Sequence, residues 1–121
     1  MKTRHAFIMS AGLLFASCGQ QHQAESVVKE FLEENLKDAS TLSITEYGEI
    51  DSTRYLNDSI INKLRKSVNN ALYKGDIKFS QPDAKSKLII LRVKYNVNEK
   101  EYHDTYYLNN EMTEVVTLKN N

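Results

Sequence analysis

The chain has 121 residues, with 16 basic and 16 acidic side chains, 40% hydrophobic and 26% charged residues, four Gly and one Pro. That composition excludes collagen-like and low-complexity disordered chains and is that of one ordinary globular domain. A formal net charge of zero supplies no field to draw nucleic acid, so none is expected as a partner.

The N-terminus carries Lys2 and Arg4, followed by an uncharged, mainly apolar run of eleven residues, 6–16 (AFIMSAGLLFA). A bilayer span takes ~20 helical residues. The run is too short for that and has the length of a signal-peptide apolar region. It ends at Leu14-Phe15-Ala16-Ser17-Cys18-Gly19, where small residues lead into the only cysteine of the chain. With no second Cys there is no internal disulfide to form, so an exported chain would carry this thiol without structural gain.

This approach to Cys18 resembles the lipobox of bacterial lipoproteins, in which a peptidase cuts before a cysteine that carries thioether-linked diacylglycerol. Phe15 stands where the family usually has Leu, with Leu14 one place earlier. The resemblance implies a signal peptide over 1–17, a lipidated Cys18 and the membrane as a partner through that lipid. The competing reading is a chance thiol beside an ordinary secretory cleavage site. Cleavage before Cys18 leaves 121 less 17, or 104 residues, and removing Lys2 and Arg4 takes the formal charge to −2. No acidic residue follows Cys18 before Glu25. By the same resemblance, that implies an anchor in the outer membrane facing the periplasm of the bacterial cell envelope.

Residues 19–24 (GQQHQA) are polar and aperiodic, so residues 18–24 are expected to be the lipidated Cys and a tether, with one domain over 25–121. From 25 to 37 the period is helical: Val27, Val28, Phe31, Leu32 and Leu36 form one stripe, and Lys29, Glu30, Glu33 and Glu34 lie away from it. Glu33 and Glu34 diverge by about 100° on a helix, which argues against a catalytic carboxylate pair. Leu36-Lys37-Asp38-Ala39-Ser40 is similar to a Leu-Lys-Asp-Pro-Ser turn of small bacterial exported domains, where a helix gives way to a strand. Leu42, Ile44 and Ile50 then suggest that strand.

A second helix is expected to start at Asn57 or Asp58 as cap. Its apolar stripe is Ile60, Ile61, Leu64, Val68, Ala71 and Leu72, and it ends at a left-handed Gly75. Lys63, Arg65, Lys66 and Lys74 make its outer side basic, read mainly as solvated and secondarily as a phosphate or anionic-lipid contact. Residues 77–79 offer one short strand. Residues 88–97 (LIILRVKYNV) read as the central strand, with Ile89, Leu91, Val93, Tyr95 and Val97 on a continuously buried face. A turn at Asn98-Glu99-Lys100, strands over 101–108 and 112–118 and a link near Asn109-Asn110 complete a meander.

The expected fold is therefore α+β, with two helices on one face of an antiparallel sheet of about four strands. The order of elements resembles NTF2-like and cystatin-like folds, in which a curved sheet wraps a helix around a pocket. No Gln-x-Val-x-Gly segment supports a cystatin-type inhibitor.

Strand alternation puts Tyr102, Asp104, Tyr106 and Leu108 on one side and His103, Thr105 and Tyr107 on the other. His103 and Asp104 therefore do not form a dyad. Tyr102, Asp104 and Tyr106 are read as cross-strand packing or, alternatively, as a tyrosine-lined binding patch. No catalytic residue, metal ligand set or cofactor motif is assigned. The expectation is a non-catalytic, lipid-anchored module meeting an envelope protein, with a pocket protein acting on a small ligand through Asp104 as the alternative.

Overall fold

A computed structural model describes residues 12–53, 56–82 and 87–121, with side chains from residue 19 onward. The start of the expected signal peptide and the side chain of Cys18 lie outside the described residues. Helix α1 spans Gly12–Asn35, strand β1 Ser43–Tyr47, strand β2 Asp51–Ser52 and helix α2 Asp58–Lys66. Strands β3 (Ile89–Val97), β4 (Lys100–Leu108) and β5 (Val115–Asn120) follow. All pairings are antiparallel in the order β1-β3-β4-β5, with β2 beside β1 on the same side of β3.

The central strand follows its period from Leu91 onward: Leu91, Val93, Tyr95 and Val97 are 0–3% exposed and Arg92 is exposed, but Ile89, at the strand's first position, is only half-buried. Against this face α1 lays Ala24, Val28, Phe31 and Leu32, spaced so that successive turns meet the sheet, and Leu36 follows just past its end. The β3–β4 connection is a two-residue turn, with Val97 facing Lys100 and positive φ at both Asn98 (54°) and Glu99 (67°). That is the backbone of a type I′ hairpin, in which Asn is well suited and Glu is not.

Four expectations need correction. Residues 19–24 are not a tether but part of α1. Gln21 donates to the Gly48 carbonyl (2.8 Å) and accepts from the Ile50 amide (2.9 Å). Gln23 donates to the carbonyls of Glu111 (3.0 Å) and Met112 (2.9 Å), and Ala24 is fully buried. Polar side chains that looked like linker composition hold two loops to the helix.

Helix α2 begins as expected, with the Asn57 side chain accepting from the Ile60 amide (2.9 Å), but it stops at Lys66. Ser67 donates its hydroxyl to the Leu64 carbonyl and the Asn69 side chain accepts from the Ala71 amide, local bonds that compete with helical ones. Gly75 has no positive φ.

The helices also do not share a face. Ile61 of α2 packs with Leu88, Val116 and Tyr107, and Tyr107 points opposite to Tyr106, which belongs to the α1 core. Finally, residues 77–79 form no strand; this segment runs beside β5, tied by one bond from the Ser80 amide to the Val115 carbonyl (2.9 Å).

Two stability outcomes follow. Val93→Asp sets a second carboxylate opposite Asp104 across the β3–β4 pair and should cost at least about 4 kcal/mol, whereas the exposed Arg92→Asp should cost about 1 kcal/mol or less. Equal destabilisation in urea melts would mean a different register. Glu99→Gly relieves a left-handed non-glycine residue and should raise stability by roughly 0.5–1 kcal/mol in the same melts.

Candidate functional site

The polar groups with the most unusual surroundings meet inside the α1 core. Asp104 (2% exposed) lies on the inner face of β4, two residues before Tyr106 (0%) and diagonal to Tyr95 (0%) on β3. Diagonal cross-strand neighbours are about 7–8 Å apart at the backbone, within reach of a tyrosine.

The fourth member, Tyr73 (0%), comes from the segment after α2. It arrives there because the end of α1 needs partners for its last carbonyls. Lys74 donates its amide to the Asn35 carbonyl (2.8 Å) and Lys37 donates to the Leu72 carbonyl (3.0 Å), a small antiparallel bridge that aims Tyr73 at the sheet. The Phe31 ring covers the cluster, 6.3 Å from the Tyr73 ring and 5.9 Å, edge-on, from that of Tyr106.

The hydroxyl protons can be traced. Tyr73 donates to Oδ2 of Asp104 (2.7 Å), and Tyr95 makes a short hydrogen bond to the same oxygen. Tyr106 lies 2.6 Å from the Tyr73 oxygen and 3.4 Å from Oδ2, so it donates to Tyr73 and only grazes the carboxyl. Burial first, with the charge of Asp104 adding to it, pushes the pKa of Tyr73, Tyr95 and Tyr106 well above the ordinary phenol value.

Tyr102, Asp104 and Tyr106 thus share a face as alternation required, but that face is the interior. Asp104 and Tyr106 are sealed from solvent, and the half-buried Tyr102 stacks on Tyr95 at 5.6 Å, so these three do not form an open binding patch. His103 points to the other side, exposed and 3.0 Å from Glu101. Tyr73 was not legible as a member, because a helix continuing to Gly75 would have placed it on a solvent turn.

Arg65 also leaves the basic face expected for α2. It donates to the carbonyls of Val116 (3.0 Å) and Ser80 (2.8 Å) and lies over the Phe79 ring at 5.3 Å. Among the described residues, no group of three or more His, Cys, Asp or Glu side chains is placed to hold a metal ion.

Among the described residues, grooves flank α1 without being lined by the tyrosines of the cluster. The one between α1 and β1 measures about 540 Å³ and is lined by His22, Glu25, Ser26, Lys29 and Glu33 on the helix and by Leu42, Ile44 and Tyr47 on the strand side. No protein-family model, curated protein or solved structure matches the chain.

The cluster makes stability sensitive to alkali. Below pH about 10, folded and unfolded chains both keep these phenol protons and stability is flat. Above it the unfolded chain releases them while the folded chain retains them, so stability falls by about 4 kcal/mol per pH unit for three tyrosines. The share of tyrosinate absorbance that belongs to these three of the seven tyrosines should rise in step with loss of the folded circular-dichroism signal. Ionisation of all tyrosines near pH 10 in a chain that stays folded would contradict the cluster.

Proposed function

We propose that the protein is a lipid-anchored module of the bacterial cell envelope, held to the outer membrane on its periplasmic side through Cys18. The domain works by binding an envelope protein rather than by catalysis. The observation that carries this reading is the uncharged, mainly apolar run of eleven residues after Lys2 and Arg4, closing on small residues before the sole cysteine. It is supported by the absence, among the described residues, of any helix long and apolar enough to cross a membrane. It is supported too by the inner sheet face: the one carboxyl that a pocket enzyme would use, Asp104, is enclosed by three tyrosines. The accessible features are grooves and sheet edges, which suit docking.

A single acyl chain holds a protein at a bilayer only marginally, whereas two or three add up at about 0.8 kcal/mol per buried methylene. Intact mass spectrometry of protein extracted from membranes should show a chain starting at Cys18 with the added mass of diacylglycerol. Cys18→Ala should give an uncleaved precursor or a soluble product cut elsewhere. An unmodified Cys18, or a start further along, overturns the anchor. Affinity capture of the lipidated protein from detergent-solubilised envelopes should return a stable protein partner; turnover of ester, phosphate or glycoside substrates that disappears in Asp104→Asn would overturn the non-catalytic reading.

A further inference from the structure

Strand β1 is an edge strand: among the described residues it pairs only with β3, so the backbone groups on its other side have no strand partner. Edge strands of this kind accept an added strand from an extended peptide, which gains affinity from the main chain and specificity from pockets for alternate side chains. The groove beside this edge provides such pockets. Leu42, Ile44 and Tyr47 are half-buried and line it from the strand side, and one face of α1 closes it with His22, Glu25, Ser26, Lys29 and Glu33. From His22 to Glu33 is about 16 Å of helix, and five residues of extended chain cover about the same length.

The charge of the groove selects the ligand. Lys29 is already bound to Glu33 at 2.6 Å, and Glu25 accepts from Gln21 at 2.8 Å without a cation partner among the described residues. The surplus negative charge is felt at Tyr47, whose phenol is pushed up to about 12 by burial first and by Glu25 and Glu33 next. The bulge between Ile44 and Glu46 shortens the regular edge, which disfavours indiscriminate sheet-to-sheet pairing and leaves room for a short segment.

We propose that β1 and the α1–β1 groove form a docking site for an extended segment of a partner protein, about five residues long, in which apolar side chains alternate and a Lys or Arg falls beside Glu25. This rests on the reading of the domain as a binding module and names its surface.

The probe is a phage-displayed library of random dodecapeptides, panned on the full-length protein in detergent micelles. Enriched peptides should alternate apolar residues and carry Lys or Arg. A synthetic copy should bind the Glu25→Lys/Glu33→Lys variant about tenfold more weakly or worse, with circular dichroism showing that the variant is folded. Bound peptide should also slow backbone amide exchange within residues 43–47, which a ligand merely resting on α1 would not do. The site is overturned by a panning that enriches nothing, by peptides indifferent to the charge reversal, or by protection that appears elsewhere. Concentration-dependent self-association that protects 43–47 without peptide overturns the partner in favour of a second copy. An envelope partner captured equally by wild type and variant rejects this surface while leaving the binding-module reading intact; failure of both panning and capture rejects both.

Discussion

A carboxyl group in the middle of an apolar layer has to be met by hydrogen bonds, and among the described residues those to Asp104 come from phenols, all on Oδ2. Each bond to such a group contributes about 1.5–3 kcal/mol, and leaving the group unsatisfied costs more. The phenols come from three separate parts of the chain: Tyr95 from β3 and Tyr73 from the segment after α2 donate to the carboxyl, and Tyr106 from β4 itself supports Tyr73. Because a tyrosine has one hydroxyl proton, the order of donation is constrained, with Tyr106 donating its hydrogen bond to Tyr73 and Tyr73 donating to Asp104. The core therefore tolerates little rearrangement of any of the three segments.

The placement of the outer surfaces depends on that constraint. Tyr73 holds residues 72–74 over the sheet, where they bond to Asn35 and Lys37 and fix the end of α1. A 3-10 turn over Ala39–Thr41 then returns the chain, so that β1 runs back alongside α1 until Gly48 meets Gln21 near the start of the docked helix. A Cβ at Gly48 would sit 3.3 Å from the Arg92 carbonyl, a tight fit that favours glycine where the chain passes from β1 to β2. The groove between α1 and β1 is thus set from both ends, by the tyrosine cluster at one and by the Gln21 clamp at the other. Only then is the edge of β1 presented beside a trough that is apolar on the strand side and charged on the helix side.

Much of this was legible in the sequence, since burial imposes periods. The alternation of β3, the stripe of α1 and the Asn57 cap each place several residues by local rules, and the structure has all three. What was not legible involves polar residues acting at a distance. Gln21 and Gln23 resemble linker composition, yet they bond to backbone 27 to 89 residues away. Ser67 and Asn69 end α2 through side-chain bonds that a hydrophobic stripe does not reveal. Alternation identified the shared face of Tyr102, Asp104 and Tyr106, but deciding whether that face was open or closed required knowing that Tyr73 and Phe31 cover it.

The claim that Asp104 and its tyrosines act as one unit is tested most directly by a double-mutant cycle in urea, combining Tyr73→Phe with Asp104→Leu. Leucine keeps the shape of aspartate without its oxygens. If the hydroxyl and the carboxyl depend on each other, each single change strands its partner, and the double mutant recovers at least about 1 kcal/mol relative to the sum of the two. Additive losses, with no coupling between the two positions, would contradict a core built on this contact.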